Sequence, residues 1–104
     1  VRIVKLYQYL TDTKKEFVLS KQVLRSGTNP GAMVRESEHS ESKADFIHKL
    51  SIAQKEINET IYWLELLKET NYLAIQEFES MNTDAIEIIK LITSILKTIK
   101  ARNN

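Results

Sequence analysis

Apolar residues recur at alternating three- and four-residue steps along most of this chain. In its last third the steps continue through three heptads, at Phe78, Met81, Ala85, Ile88, Ile92, Ile95 and Ile99. A second series covers the middle of the chain, at Phe46, Leu50, Ala53, Ile57, Ile61 or Thr60, Leu64 and Leu67. Residues at these spacings share one face of an α-helix. The pattern predicts one helix over about residues 42–69 and another after a turn at residues 71–74.

The same rhythm begins at the first residues of the chain, at Ile3, Leu6, Tyr7 and Leu10. It predicts a first helix that ends near residue 10. Residues 11–13 carry hydroxyl and carboxylate side chains that are typical of helix caps, so a second helix is predicted from about residue 14. Further along, Ser42 with Asp45 three residues later has the spacing of a cap for the third helix.

Both glycines and the only proline of the chain fall between Gly27 and Gly31. The residue before a proline is biased away from the helical region, while proline itself is tolerated in the first turn of a helix. We therefore expect the second helix to be broken into segments 14–26 and 29–38, with a bend near Gly27 and Gly31. The two glycines, four residues apart, are expected to allow a close approach between helices.

These predicted helices define the fold class. Two glycines and one proline in 104 residues leave little material for the turns of β-hairpins, so an all-α protein is expected. Four amphipathic helices with short connections predict an up-down-up-down four-helix bundle. We expect this bundle to be a single domain over residues 1–104.

The segment IYWLELL, residues 61–67, is apolar at six of its seven positions. Its apolar side chains therefore surround the third helix, and a helix that is apolar all round is buried all round. Two explanations are open. Tyr62, Trp63 and Leu66 could form the interface of a homo-oligomer, or the third helix could lie at the centre of a tightly packed monomer.

Composition narrows the class of protein. The absence of cysteine excludes a disulfide framework and a thiolate metal site, and it fits a cytoplasmic location. No apolar run approaches the 18–20 residues, roughly, that a membrane span requires, and no signal peptide is visible. We expect a soluble, cytoplasmic protein that does not bind a membrane.

No group of residues predicts catalysis. Glu36 with His39 and Asp45 with His48 share the acid–histidine spacing of di-iron bundles, but such sites also need two inward-facing glutamates from other helices. Residues 27–33 lack the lysine and the hydroxyl residue that follow the second glycine of a phosphate loop. We therefore predict no catalytic residue, no bound metal, no cofactor and no enzymatic activity.

Charge is unevenly distributed, although the net charge is only +1. Residues 1–35 carry seven basic and two acidic side chains, residues 36–89 carry four and twelve, and residues 90–104 carry four and none. Such a distribution fits a nucleic-acid-binding face. It fits equally well a set of helices that neutralise one another inside a bundle.

The basic residues form two helical strips. Lys14, Lys21 and Arg25 lie on one side of the second helix, and Lys90, Lys97 and Lys100 face away from the apolar stripe of the fourth. Phosphate contacts need only such an array of cations. The residues predicted to contact RNA or DNA are Lys14, Lys15, Lys21, Arg25 and Arg35.

Two longer segments of the sequence resemble those of one bacterial family. They are VLRSGTNPGAMVRE and SKADFIHKLSIAQKEINETIYWLELL, and the resemblance extends from about residue 19 to residue 100. The chain resembles the four-helix bundles known as 23S rRNA intervening-sequence proteins. The resemblance implies a left-handed bundle that assembles as a ring, commonly a homopentamer, and it implies no enzymatic activity. It also implies a fold similar to the accessory variability determinant of diversity-generating retroelements, a basic pentamer that binds nucleic acid and a reverse transcriptase.

The chain departs from this family at the glycines. After Arg-Ser-Gly-Thr the family pattern reads roughly Ser-Ile-Gly-Ala-Asn, whereas this chain has Asn29, Pro30, Gly31, Ala32 and Met33. Pro30 is expected to sharpen a bend, and Met33 to fill an apolar gap.

Two functions from different classes remain open at this point. The first is a homo-oligomer that binds RNA or DNA through its basic helix faces. The second is a protein–protein adaptor, in which the acidic middle third and residues 61–67 would bind a protein partner.

Overall fold

The computed structural model describes residues 1–102 and, within them, contains four α-helices and no strand. The helices are α1 Arg2–Asp12, α2 Leu19–Ser37, α3 Lys43–Glu69 and α4 Ile75–Ala101. The predicted all-α, four-helix class is therefore confirmed. The first residues of α3 and α4 also agree with the sequence prediction. Ser42 caps α3 by accepting a hydrogen bond from the Asp45 N–H at 3.1 Å.

Each helix packs against the helices next to it in sequence. Successive helices from α2 to α4 run antiparallel, because the carboxyl-terminal part of α3 shares one hydrophobic cluster with the amino-terminal parts of α2 and α4, and its amino-terminal part shares another with their carboxyl-terminal parts. Hydrogen bonds join Ser26 to Thr60 and Gln54 to Thr93. The third helix packs against both α2 and α4 and so lies centrally. Within residues 1–102, no Cα atom of α1 lies within 8 Å of a Cα atom of α4.

The interior is divided along the bundle into two hydrophobic clusters. The cluster nearer α1 contains Leu6, Leu10, Val23, Leu64, Leu67, Leu73, Phe78 and Met81. The other contains Leu50, Ala53, Ile57, Ala85, Ile92 and Leu96. Because α1 has 11 residues and α3 and α4 have 27 each, α1 contributes only to the first cluster.

The apolar stripe predicted for α3 is confirmed at every position from Leu50 to Leu67, with Thr60 in place of Ile61. In α4 the prediction is wrong at Ile88 and Ile95, which are 48% and 37% exposed. These two side chains lie on the flank of α4 that faces away from α3. No α1 backbone covers that flank, so these two of the seven predicted positions have no helix to pack against.

The connection from α1 to α2 is built around a buried glutamate, Glu16. Its carboxylate accepts hydrogen bonds from the backbone N–H groups of Val18, Leu19 and Ser20 at 3.0, 2.9 and 2.7 Å. These N–H groups belong to the first turn of a helix and have no partner inside it. The predicted start of the second helix at residue 14 is therefore wrong, because the helix begins at Leu19 with Val18 as its N-cap residue, and the Glu16 side chain binds its first N–H groups from outside the helix. Lys15, with φ of 55°, reverses the chain just before it.

Glu16 is expected to make the stability of the protein depend on acid pH. Burial alone would raise the pKa of Glu16, but the hydrogen bonds from Leu19, Ser20 and Val18 outweigh it and hold this pKa below the ordinary value of 4.5. A carboxyl group with a lowered pKa in the folded state stabilises that state above its unfolded pKa. This stabilisation is lost as the pH falls through the folded pKa.

Glu16→Gln is therefore expected to lower the free energy of unfolding at pH 7 by about 1–2 kcal/mol. It should also flatten the decline of stability below about pH 4.5. Urea unfolding at a series of pH values, followed by circular dichroism, measures both effects. An equally steep decline in the variant would show that other carboxylates cause the acid sensitivity.

The second helix runs without interruption from Leu19 to Ser37, with Pro30 inside it. The predicted division into two helical segments is therefore wrong, whereas the bend near Gly27 and Gly31 and the left-handedness of the bundle stay predictions. Met33 packs against the second hydrophobic cluster, as expected for a flexible apolar side chain.

The two glycines of α2 have different surroundings. A Cβ atom added at Gly27 would lie 2.7, 2.8 and 3.0 Å from side-chain carbons of Ile3, so Gly27 permits the close contact between α1 and α2. A Cβ atom added at Gly31 would meet no atom within 4 Å. The expected close approach is confirmed at Gly27 and is wrong at Gly31, which borders an open groove.

Candidate nucleic-acid interface

The exposed face of α2 carries three of the five residues predicted to bind phosphates. Arg25 follows Lys21 by four residues and Arg35 follows Arg25 by ten, with Thr28 and Ala32 between the two arginines on the same face. All five residues predicted to bind phosphates, including Lys14 and Lys15, have exposed side chains. At 1.5 Å per residue, Lys21 and Arg35 are separated by about 21 Å along the helix.

Arg25 is held by carboxylates of α3. Its guanidinium donates hydrogen bonds to Glu59 at 2.6 Å and to Glu56 at 3.2 Å. The hydrogen bond to Glu59 raises the pKa of Arg25 above its ordinary value, and the nearby negative charges act in the same direction. The arginine thus connects α2 to α3, and its positive charge is compensated in place.

Lys14 and Lys15 lie in the connection that precedes α2. The ammonium group of Lys14 is 6.0 Å from the centre of the Tyr9 ring, within the range of a cation–π contact. Lys15 is exposed. Among the described residues, neither lysine forms an ion pair, and the same is true of Lys21 and Arg35.

The structure therefore separates the five predicted residues into three groups. Lys14 and Lys15 lie together at one end of α2, Lys21 and Arg35 are isolated cations on its outer face, and Arg25 is an internal link. Charge density on this face is lower than the sequence spacing alone implies.

The residues predicted to form an oligomer interface differ in exposure. Tyr62 is 56% exposed and stands edge-on to Trp63, with 5.0 Å between ring centres and 70° between planes. Trp63 and Leu66 are half-buried, and Trp63 packs against the first hydrophobic cluster. The indole N–H of Trp63 donates to Glu59 at 3.4 Å. Much of the apolar character of residues 61–67 is thus used inside the chain.

Comparison with known proteins places this bundle in a family. A model of the 23S rRNA-intervening sequence protein family matches residues 1–94. The chain belongs to this family. The resemblance inferred from residues 19–100 is confirmed.

One solved structure is closely similar to this intervening-sequence family protein. It is a crystal structure of a protein of unknown function from the S23 ribosomal protein family of Bacteroides thetaiotaomicron VPI-5482. The two chains are 58% identical, the match covers 92% of this chain and 89% of that one, and the TM-score is 0.91. No match is found among curated proteins.

An apolar surface that the sequence pattern did not reveal lies beside α1 in this family member. Ile88, Leu91 and Ile95 form an exposed stripe on α4, with exposed fractions of 48, 62 and 37%. Next to them is a groove of about 710 Å³ that extends from Val1 and Ile3 past Gly31 to Ile88 and Ile92. The sequence feature that could have indicated this surface is the difference in length between the first predicted helix and the fourth.

The acid–histidine pairs lie near the connection between α2 and α3. Glu36, His39 and His48 are exposed, and Asp45 forms an ion pair with Lys49 at 3.1 Å. Within the described residues, no three histidine or carboxylate side chains come together as potential metal ligands.

None of the helices in residues 1–102 combines the length and the hydropathy needed to span a bilayer.

Proposed function

We propose that this intervening-sequence family protein is a non-enzymatic nucleic-acid-binding protein of the cytoplasm that works as a homo-oligomeric ring, a pentamer. The observation that supports binding is the set of exposed cations that form no ion pair among the described residues, Lys14, Lys15, Lys21 and Arg35. Such cations bind phosphates electrostatically and without regard to base sequence, and arginine can do so bidentately.

Oligomerisation would give these few cations sufficient affinity. Four cations in one subunit form a weak site, but symmetric copies that bind one nucleic acid act at a high effective concentration. The exposed apolar surface supports assembly, since Tyr62 on α3 and Leu91 on α4 leave large apolar side chains in solvent.

The test is binding of structured RNA and of duplex DNA across a salt series, with the native mass determined on the same preparation. Binding is expected to weaken steeply with salt, because each phosphate contact lowers the slope of log K against log salt concentration by about 0.9 on a duplex. Affinity that does not change with salt, or no binding at low salt by an intact oligomer, would contradict the proposal.

A protein–protein adaptor is the second candidate. The apolar groove beside α1 and the stripe formed by Ile88, Leu91 and Ile95 favour it, because apolar surfaces of this kind are typical of protein interfaces. An intact oligomer that binds neither RNA nor DNA would support this function instead.

A further inference from the structure

Two helix segments that lie side by side contain basic residues and no carboxylate. Residues 46–55 of α3 and residues 88–102 of α4 together carry six lysine or arginine side chains and no aspartate or glutamate. The hydrogen bond from Gln54 to Thr93, at 2.7 Å, fixes the register between the two antiparallel helices. In that register, residues 46–55 lie opposite the carboxyl-terminal half of α4.

The lysines of α4 in this region point away from the core. Successive residues of a helix turn by about 100°, so Lys90, Lys97 and Lys100 fall within about 80° of one another around the helix axis. All three are exposed, whereas Ile92 and Leu96 are buried against α3.

On α3, Lys55 is also exposed and lies at the level of the α4 segment between Lys90 and Lys97, because the neighbouring residue Gln54 hydrogen-bonds to Thr93. We call the surface formed by Lys55, Lys90, Lys97 and Lys100 the lysine face.

The charges of the lysine face are not compensated by ion pairs among the described residues. Glu56 follows Lys55 in sequence, but its carboxylate pairs with Arg25 on the α2 side of α3. Asp45 pairs with Lys49. Two carboxylates lie one turn from lysines of this face: Glu87, before Lys90 on α4, and Glu59, after Lys55 on α3, which pairs with Arg25 at 2.6 Å.

This arrangement contrasts with the outer face of α2. There, Arg25 is neutralised by two carboxylates, and about 21 Å separates Lys21 from Arg35. On α4, by the same rise per residue, Lys90 and Lys97 are separated by about 10.5 Å, and Lys90 and Lys100 by about 15 Å. Phosphates along one strand of a duplex advance by about 3.4 Å each, so the strip on α4 spans about four of them.

We infer that the lysine face is the surface that carries most of the affinity of this protein for a nucleic-acid double helix. This inference rests on the proposed function and names the part of the molecule that performs it. Lysine ammonium groups act as point charges on phosphates. The strip on α4 spans about four successive phosphates of one duplex strand, so the contacts are with the duplex backbone.

The experiment compares two double variants that change the net charge equally. Lys90→Glu with Lys97→Glu alters the lysine face, and Lys21→Glu with Arg35→Glu alters the outer face of α2; all four side chains are exposed. Binding is measured on a labelled RNA duplex, a labelled DNA duplex and labelled single strands of the same sequence, with thermal unfolding as a check of folding. The lysine-face variant is expected to lose at least about tenfold more affinity at low salt than the α2 variant.

A neutral variant of the same face, Lys90→Gln with Lys97→Gln, gives a second readout that does not depend on repulsion. Its slope of log K against log salt concentration is expected to be less steep by about 2 than that of the wild type, because two phosphate contacts are lost. An unchanged slope would overturn the inference even if the reversed variant failed to fold.

The outcomes separate this inference from the proposed function. If the wild type binds and the α2 variant loses as much affinity as the lysine-face variant or more, the inference is wrong and the proposed function stands. If the wild type binds only single strands, the inference is also wrong. If the wild type binds no nucleic acid, the proposed function fails and the inference fails with it.

Discussion

Replacing Leu10 with alanine is expected to lower the free energy of unfolding by about 2–5 kcal/mol, the range for removing a large aliphatic side chain from a core. Leu10 is fully buried in the first hydrophobic cluster. The short helix α1 contributes two buried side chains to that cluster, Leu6 and Leu10. The carbonyl oxygen of Leu10 also accepts a hydrogen bond from the Glu16 N–H at 2.8 Å, so a shift of α1 would disturb the cap of α2.

Urea unfolding followed by circular dichroism measures this loss. The matched control is Leu91→Ala on α4, where the side chain is 62% exposed and the expected change lies within about 0.5 kcal/mol. A loss at Leu10 no larger than about 0.5 kcal/mol would contradict its assignment to the core. A loss at Leu91 as large as the one expected at Leu10 would point to a buried role for Leu91 in an assembly.

Gly27→Val is expected to be the second most destabilising change, with a loss of about 2–3 kcal/mol in the free energy of unfolding. A Cβ atom at this position would already lie 2.7 Å from the side chain of Ile3, closer than real Cβ contacts occur. The added methyl groups would force α1 away from α2. The gain in helix propensity over glycine, below about 1 kcal/mol, is too small to offset this overlap.

A double-mutant cycle with Ile3→Ala tests the cause, because removal of the Ile3 side chain should recover part of the loss at Gly27. The matched control is Gly31→Ala, one turn further along the same helix, where no atom lies within 4 Å of the added Cβ. There the free energy of unfolding is expected to rise by about 0.5–1 kcal/mol through helix propensity alone. A loss at Gly31 similar to the loss at Gly27 would show that backbone strain rather than contact with Ile3 sets the cost.

The parts of the fold that could be predicted are those that local patterns specify. The buried positions of α3 from Leu50 to Leu67 recur every three or four residues, because this helix packs on neighbours along its whole length. Ser42 and Asp45 have the three-residue spacing of a helix cap, which can be recognised in the sequence directly. The capping role of Glu16 was missed because its carboxylate accepts hydrogen bonds from three successive backbone N–H groups, and backbone groups leave no residue type in the sequence to recognise. Ile88 and Ile95 were misassigned because the pattern within α4 contains no information on the length of α1.

The candidate site was less predictable for a related reason. A sequence shows that Arg25 is basic, but its carboxylate partners Glu56 and Glu59 are more than 30 residues away. Whether a cation is available to a ligand depends on the register between helices, which the packing of α2 on α3 determines. The lysine face was visible only in part, as the strip on α4, because Lys55 joins it through the pairing of Gln54 with Thr93.

The order of packing along the bundle has a consequence for how the chain folds. Among the described residues, the close backbone contacts between helices join α1 to α2, α2 to α3 and α3 to α4, and an ion pair between Arg2 and Asp84, at 2.6 Å, adds a side-chain link from α1 to α4. Such a topology has a low contact order, and helical domains of this kind fold in microseconds to milliseconds. Because α1 has only 11 residues and its backbone packs on α2 alone among the described helices, we expect local unfolding of this protein to begin at α1.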